Sequence, residues 1–250
     1  MFADILGSKI VTIKGNELGA KGVILNNAVV QGYYKDYKEA VDATVEIKKV
    51  YEPDMKKHEE YMKFYPLYKK TYDQLKETRI CLEMQEKKYF LGTWGNVSIR
   101  VGNHIILTPS RIGYNEMTPE SLVVIDLEGN IVEGTNHPTS EKEVHRQIYL
   151  RREDAGMIIH AHTKKAMAVS VRKIREVPCL VEEMSQLIGG GIPITPQYVP
   201  AEQHFQLGTT AAENIGNRNG VILRNHGPVA VGRNPEEAVL MVEVIEKACE

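Results

Sequence analysis

The tripeptide His160-Ala161-His162 closes the apolar run Met157-Ile158-Ile159 and constrains this chain more than any other stretch. A strand sends residues i and i+2 to the same face, so both imidazoles point the same way. Two histidines on a rigid strand end can fill two corners of a metal's coordination sphere, and a third ligand must then come from elsewhere. His226 is the best candidate. It ends a second strand-like run, Val221 to His226, and Gly227-Pro228 follows as a sharp turn. Taken alone, His-x-His also fits a surface or hydrogen-bonded pair. A third histidine at another strand end moves the reading toward a metal site.

At 250 residues the chain can bury a sizeable core in one or two domains. A net charge of -2 gives no electrostatic reason to propose a nucleic-acid or anionic-membrane partner. Cys81, Cys179 and Cys249 are scattered and form no C-x-x-C pair, which fits reduced thiols and a cytoplasmic protein. No apolar stretch approaches the roughly 20 residues that span a bilayer, and Met1 to Gly15 lacks the order of a signal peptide.

Residues 1–78 differ in texture from the rest, with eight of the 12 tyrosines falling before Asp73. Glu17 to Gln31 reads as a small-residue helix that packs close to a neighbouring backbone. Asp36 with Glu39 predicts a capping box for a helix to about Val50, ended by Pro53. A further helix begins near Asp54 and carries Tyr61, Phe64, Tyr65, Tyr68, Tyr72 and Leu75 at three- and four-residue steps. That stripe is most simply a packing face.

The second domain, 79–250, opens with an amphipathic segment to Phe90. Gly92-Thr93-Trp94-Gly95-Asn96-Val97-Ser98 follows, where glycines allow close backbone approach and short polar side chains can bond a ligand. Ser98–Val101 and Ile105–Thr108 predict a hairpin turning at Gly102-Asn103, closed by Thr108-Pro109-Ser110. Thr118-Pro119 opens a short helix, and Val123–Ile125 is a strand before a turn at Asp126–Asn130. Ser140 as N-cap with Glu143 as its box partner starts the next helix. Capping does not account for Glu141, in the first turn, where the helix dipole favours a carboxylate or bound phosphate. His145, one turn on, takes a supporting or packing role. A helix from about Thr163 to Arg172, a strand at Pro178–Val181, a flexible turn at Gly189–Gly191 and a helix from Ala201 to Asn214 lead to the His226 strand. Val229–Val231 is the expected partner of that strand. Asn234-Pro235 caps a last helix that is still in progress at Glu250, so a further C-terminal segment is expected.

The ordered set Gly95-Asn96-Val97-Ser98, Thr108-Pro109-Ser110, Pro138-Thr139-Ser140-Glu141, His160-Ala161-His162 and Asn225-His226-Gly227 resembles the class II aldolase/adducin family over residues 79–250. The resemblance implies an α/β fold, a three-layer α/β/α sandwich with a mostly antiparallel central sheet, preceded here by a helical N-terminal segment. It also implies a homotetramer and a divalent metal, Zn²⁺, on His160, His162 and His226. Thr93, Gly95, Asn96, Ser110, Thr139 and Ser140 would hold a substrate phosphate, with Glu141 as acid/base. The implied activity is retro-aldol cleavage of a ketose 1-phosphate of the fuculose-phosphate type through a metal-stabilised enediolate. Ribulose-phosphate 4-epimerase or methylthioribulose-phosphate dehydratase chemistry is the alternative, and a non-catalytic adducin-like scaffold is a further one. A scaffold would not be expected to keep all three histidines and the acid.

Two positions depart from the family pattern. Arg111 stands where the aldolases often carry glycine, which gives the phosphate pocket a charge or reshapes it. Glu182-Glu183 stands where fuculose-phosphate aldolases carry a tyrosine, which makes Glu183 a second catalytic candidate. Residues 1–78 resemble the C-terminal end of FGGY-family sugar kinases, in Phe2-Ala3-Asp4-Ile5-Leu6-Gly7, Glu17 to Gly22, Tyr34 to Val41 and Val50 to Asp54. That resemblance implies a kinase remnant, or the cut end of a longer kinase fusion, without catalytic activity of its own; an ordinary helical extension that caps the second domain is the alternative.

Overall fold

The structure, a computed structural model, describes residues 2–15 and 18–250, with the side chains of residues 18 and 64–76 outside the described set. The chain divides into two compact units, residues 1–69 and 70–250. The dividing point lies within one long helix, as does the 78/79 boundary read from the sequence.

In the first unit, α1 (Phe2–Leu6), β1 (Ile10–Ile13), α2 (Leu18–Val30), α3 (Tyr37–Thr44) and β2 (Ile47–Tyr51) precede the start of α4 (Met55–Glu86). The segment is thus not purely helical: β1 and β2 form an antiparallel ribbon with Ile10 opposite Tyr51. The helix expected to reach Val50 stops at Thr44. Asp36 caps it by accepting from the Glu39 amide at 2.9 Å, while the Glu39 carboxylate reaches back to the Lys35 amide at 2.7 Å. Val45, Ile47 and Val50 are β-branched and favour the extended ribbon that follows. Among the described residues nothing lies within 4 Å of a Cβ built on Gly19 or Gly22 of α2, and Val23, Ile24 and Val30 are exposed. Of the aromatic stripe, all but Tyr61 lies outside the described side chains.

The second unit continues from α4 through β3 (Asn96–Val101), β4 (His104–Leu107), a 3₁₀ turn at Pro119–Ser121, β5 (Val123–Asp126), β6 (Ile131–Glu133) and α5 (Lys142–Arg151). Then come β7 (Met157–His160), α6 (Lys164–Ser170), β8 (Glu176–Val177), a π-helical turn at Met184–Ile188 and β9 (Ile192–Pro193). α7 (His204–Ile215), β10 (Gly220–Ile222), β11 (Pro228–Gly232) and α8 (Pro235–Ala248) complete it. Seven strands make one sheet in the order β10-β11-β7-β3-β4-β5-β6, and each neighbouring pair is antiparallel. Alternation along the strands feeds two cores. Ile105, Leu107, Ile158 and Val229 pack with Val144, Ile148 and Leu207 of α5 and α7. Val97, Ile106, Ile159 and Ala230 pack on the other face with Cys81 and Met84 of α4 and Met241 and Val242 of α8. The result is the three-layer α/β/α sandwich.

The predicted hairpin, the Thr118-Pro119 turn and the Asn234 cap are present, the last with Asn234 Oδ1 accepting from the Glu237 amide at 2.9 Å. Pro178–Val181 is not a strand. Pairing ends at Val177, one residue before a proline that has no amide hydrogen to give the ladder. The run at 221–226 is a strand only to Ile222, and Leu223–His226 turns, with the His226 amide donating to Leu223 O at 3.1 Å.

Helices α5 and α7 approach so closely that a Cβ on Gly208 would lie 2.3 Å from the Glu143 carbonyl oxygen. Backbone must move to admit it. Gly208→Ala is therefore expected to cost about 1–3 kcal/mol as overpacking, read as a lower urea midpoint at unchanged slope.

Candidate metal centre

The centre is assembled by sheet register. His160, the last residue of β7, lies opposite Val229 of β11 on one side and Asn96 of β3 on the other. Its Nδ1 is 3.0 Å from Pro228 O. A carbonyl only accepts, so Nδ1 carries the proton and bare Nε2 faces the cleft. His226 arrives on the turn between β10 and β11, which is pinned against β7. A Cβ on Gly227 would stand 2.3 Å from Ala161 O, so glycine is required for that approach.

The His160, His162 and His226 rings lie with centroids 4.8–5.0 Å apart. Glu141 joins them: Oε2 is 3.3 Å from His160 Nε2 and Oε1 is 3.0 Å from His226 Nε2. One donor atom from each of these four residues falls within 4.8 Å of all the others. His160 Nε2 and His162 Nε2 are 3.1 Å apart, although the first has no proton to donate. Nitrogen and oxygen ligands about 2.0–2.2 Å from a tetrahedral cation stand about 3.3–3.6 Å from one another. The donor set and its spacing therefore fit a divalent cation.

Burial first, then the neighbouring imidazoles, lowers the His160 pKa to about 3 even against the Glu141 charge. His162 is lowered for the same reason, so both imidazoles are neutral, as ligation requires. Burial alone would raise the Glu141 carboxyl. His160, His226 and the Asn96 amide outweigh it and hold the group well below the usual carboxylate range.

Glu141 reaches the cluster because the loop before α5 is tied to the sheet. Ser110 N donates to His137 O at 2.8 Å and Thr139 N to Thr108 O at 3.0 Å, which zips the two loops together. The expected Ser140–Glu143 box is not formed. The Glu141 amide turns back to Thr139 Oγ1 at 3.3 Å, and Glu143 binds Arg146, Nη2 to Oε2 at 2.8 Å. Glu141 itself occupies the cap position with its carboxylate free to face the histidines.

A cleft of about 330 Å³ opens over the cluster. Thr93, Gly95, Asn96, Ser110, Thr139 and Ser140 line it with Glu141, His162 and His226, and His160 lies buried beneath. Glu183 does not reach it. It precedes the π-helical turn and pairs instead with Lys247 of α8 at 2.7 Å, in an exposed position. The sequence reading passed over Trp94, in the cleft wall, and Tyr114, whose hydroxyl donates to Gly95 O at 2.7 Å and braces the Gly95 loop. An aromatic inside a Gly-Thr-Trp-Gly run was the available signal for Trp94. Tyr114 is remote in sequence and gave none.

Fold and site together define an antiparallel α/β/α sandwich that carries a cluster able to hold a metal. Residues 77–250 match the family described as Class II Aldolase and Adducin N-terminal domain. L-fuculose phosphate aldolase of Methanococcus maripaludis is 30% identical over 175 residues, 69% of this chain and 91% of that protein. A solved L-fuculose 1-phosphate aldolase superposes with a TM-score of 0.66 at 30% identity, covering 70% of this chain and 82% of the other. The l-fuculose-1-phosphate aldolase of Thermus thermophilus gives 0.59 at 27% identity over 72% and 91% of the two chains. The chain belongs to the class II aldolase and adducin family, whose aldolases use a divalent metal.

Arg111, the family departure, lines the cleft with φ at 65°, a left-handed conformation that disfavours side chains. Its guanidinium has no hydrogen bond or ion pair among the described residues. Arg111→Gly is expected to raise stability by up to about 1 kcal/mol, strain released less the added freedom of the unfolded chain, read by thermal unfolding.

Proposed function

We propose that residues 77–250 cleave a ketose 1-phosphate, of the L-fuculose 1-phosphate kind, by a retro-aldol reaction with Zn²⁺ on His160, His162 and His226. The observation that carries this reading is the convergence of three imidazoles and one carboxylate within 4.8 Å, under a cleft edged by hydroxyl and amide groups. The match to the L-fuculose phosphate aldolases over most of their length supports the substrate class.

The residues divide the work. Thr93, Asn96, Ser110, Thr139 and Ser140 offer side-chain donors, and Gly95 its backbone, to the phosphate, with Arg111 adding the one Lys or Arg charge among the residues lining the cleft. A divalent cation on the three histidines supplies Lewis-acid stabilisation of negative charge on substrate oxygen. Cleavage breaks the bond between the α-carbon of the ketone and the hydroxyl-bearing carbon beyond it, and its electrons stay on the α-carbon of the ketone fragment. The aldehyde fragment loses its hydroxyl proton, and the ketone fragment's carbon takes one up. In this reading Glu141 moves the proton at that carbon, a role supported by a buried carboxylate that faces the imidazoles. Glu183, bound to Lys247, takes no part.

The same reading makes the protein a cytoplasmic homotetramer, supported by the family and by three free cysteines. No helix among the described residues is long and apolar enough to cross a membrane. We assign residues 1–78 to the tail of an FGGY-type kinase, without kinase activity, on the motifs in Phe2–Gly7 and Tyr34–Val41.

A panel of ketose 1-phosphates with product identification tests the reaction. Glu141→Gln is expected to cut turnover about 10²–10⁴-fold while metal content and fold persist. His226→Ala is expected to lose metal and activity together, measured by elemental analysis and assay. Near-normal turnover in metal-loaded Glu141→Gln, or full activity in metal-free wild-type protein, would overturn the assignment.

A further inference from the structure

Behind the cleft lies a line of buried polar groups, with Asn96 and Glu141 at its cleft end. Glu141, which caps α5, and His145 and Tyr149 within it follow at i, i+4 and i+8 along one face, and they meet Asn96 and Ser98, which alternate on β3. Asn96 Nδ2 is 2.7 Å from Glu141 Oε2, and Asn96 Oδ1 is 2.5 Å from His145 Nε2. His145 Nδ1 is 2.7 Å from Ser98 Oγ, which is 3.0 Å from Tyr149 Oη. Tyr149 Oη also lies 2.9 Å from Ser98 O. Asn96, Ser98, His145 and Tyr149 are all buried, so water does not complete these bonds.

The directions of these bonds follow from one end. The Glu141 carboxylate only accepts, so the Asn96 amide must turn its NH₂ toward it and its carbonyl toward His145. That carbonyl also only accepts, and the proton of the His145 ring must therefore sit on Nε2. Bare Nδ1 then accepts from the Ser98 hydroxyl, and the Tyr149 hydroxyl donates to Ser98 O. In the opposite tautomer, His145 Nε2 would present a lone pair to Asn96 Oδ1 at 2.5 Å, or force the amide to turn its carbonyl onto the carboxylate. Either outcome sets two acceptors against each other in a buried site.

We propose that His145 is a positioning residue that acts through Asn96: as the Nε2–H tautomer, with Ser98 donating to its Nδ1, it fixes the Asn96 amide so that only N–H groups face Glu141 and the cleft. One N–H orients the carboxylate. The other has no partner among the described residues and is left for an acceptor oxygen of the ligand, since Asn96 lines the cleft. The catalytic consequence rests on the aldolase reading above, whereas the tautomer rests on hydrogen-bond directions alone.

The test uses the full chain loaded with zinc and labelled with ¹⁵N-histidine. Long-range ¹H–¹⁵N correlation is expected to show His145 protonated on Nε2 and bare on Nδ1. An Nδ1–H ring, or a mixture of tautomers, would overturn the proposal. In steady-state assays His145→Leu is expected to lower kcat/KM about 10–100-fold at unchanged zinc stoichiometry, as loss of a group orienting the residues around a metal does. His145→Gln, which keeps a donor for Asn96 Oδ1, is expected to recover most of that loss. Equal loss in both variants would reduce His145 to a packing residue. Should His145→Leu fail to fold, Ser98→Ala replaces it, with a mixed His145 tautomer and a smaller fall in kcat/KM expected. An unmixed Nε2–H tautomer in that variant would remove Ser98 from the account. Wild-type protein without aldolase activity would sink the functional reading alone and leave the tautomer to be decided by the spectrum.

Discussion

The site depends on the register of β7 between β3 and β11. With Val229 and Asn96 as its two lateral partners, His160 has a single position, and the bond from its Nδ1 to Pro228 O gives the ring a single orientation. A slip of one residue would send the imidazole to the opposite face of the sheet and replace it with an apolar side chain. The apolar pairs Ile159–Ala230 and Ile158–Val231, buried on alternate faces, are what forbid that slip. Packing thus sets the chemistry.

Around this fixed point the polar groups balance each other rather than water. A buried carboxylate is costly unless it is paired and hydrogen-bonded. Glu141 meets that requirement with two imidazoles and one amide, and the amide is held in turn through His145, Ser98 and Tyr149. Neutral His160 and His162 stand beside the Glu141 anion. With His226, these groups form a donor set that fits a cation. On the cleft side, the loops at Thr108–Ser110 and His137–Thr139 are tied by backbone bonds, so the hydroxyls that edge the cleft are held as rigidly as the histidines.

Much of this was legible in the sequence, where local chemistry and tertiary structure agree. His160 and His162 follow from strand periodicity, the β3–β4 hairpin from Gly102-Asn103, and the last helix from Asn234-Pro235. The failures share one physical cause, competition from distant partners. Ser140 and Glu143 have the spacing of a capping box, but Thr139 takes the Glu141 amide and Arg146 takes Glu143, which frees Glu141 for the cluster. Glu183 has the right residue type, but α8 supplies Lys247 beside it. Val45 to Val50 continues a helical pattern, yet its β-branched residues pair with β1 across a long loop closure. The line from Glu141 to Tyr149 was written as i, i+4, i+8, with Asn96 and Ser98 alternating on β3, and its meaning emerged only when the sheet placed the two patterns face to face.

The central claim is that His160, His162 and His226 together hold a divalent cation beside Glu141. X-ray absorption at the zinc edge of the zinc-loaded protein tests it most directly. The account requires a single bound ion with three imidazole nitrogens at about 2.0–2.1 Å and the remaining coordination from oxygen. A protein that takes up no stoichiometric zinc, or an ion surrounded by oxygen or sulfur without the imidazole signature, would contradict it.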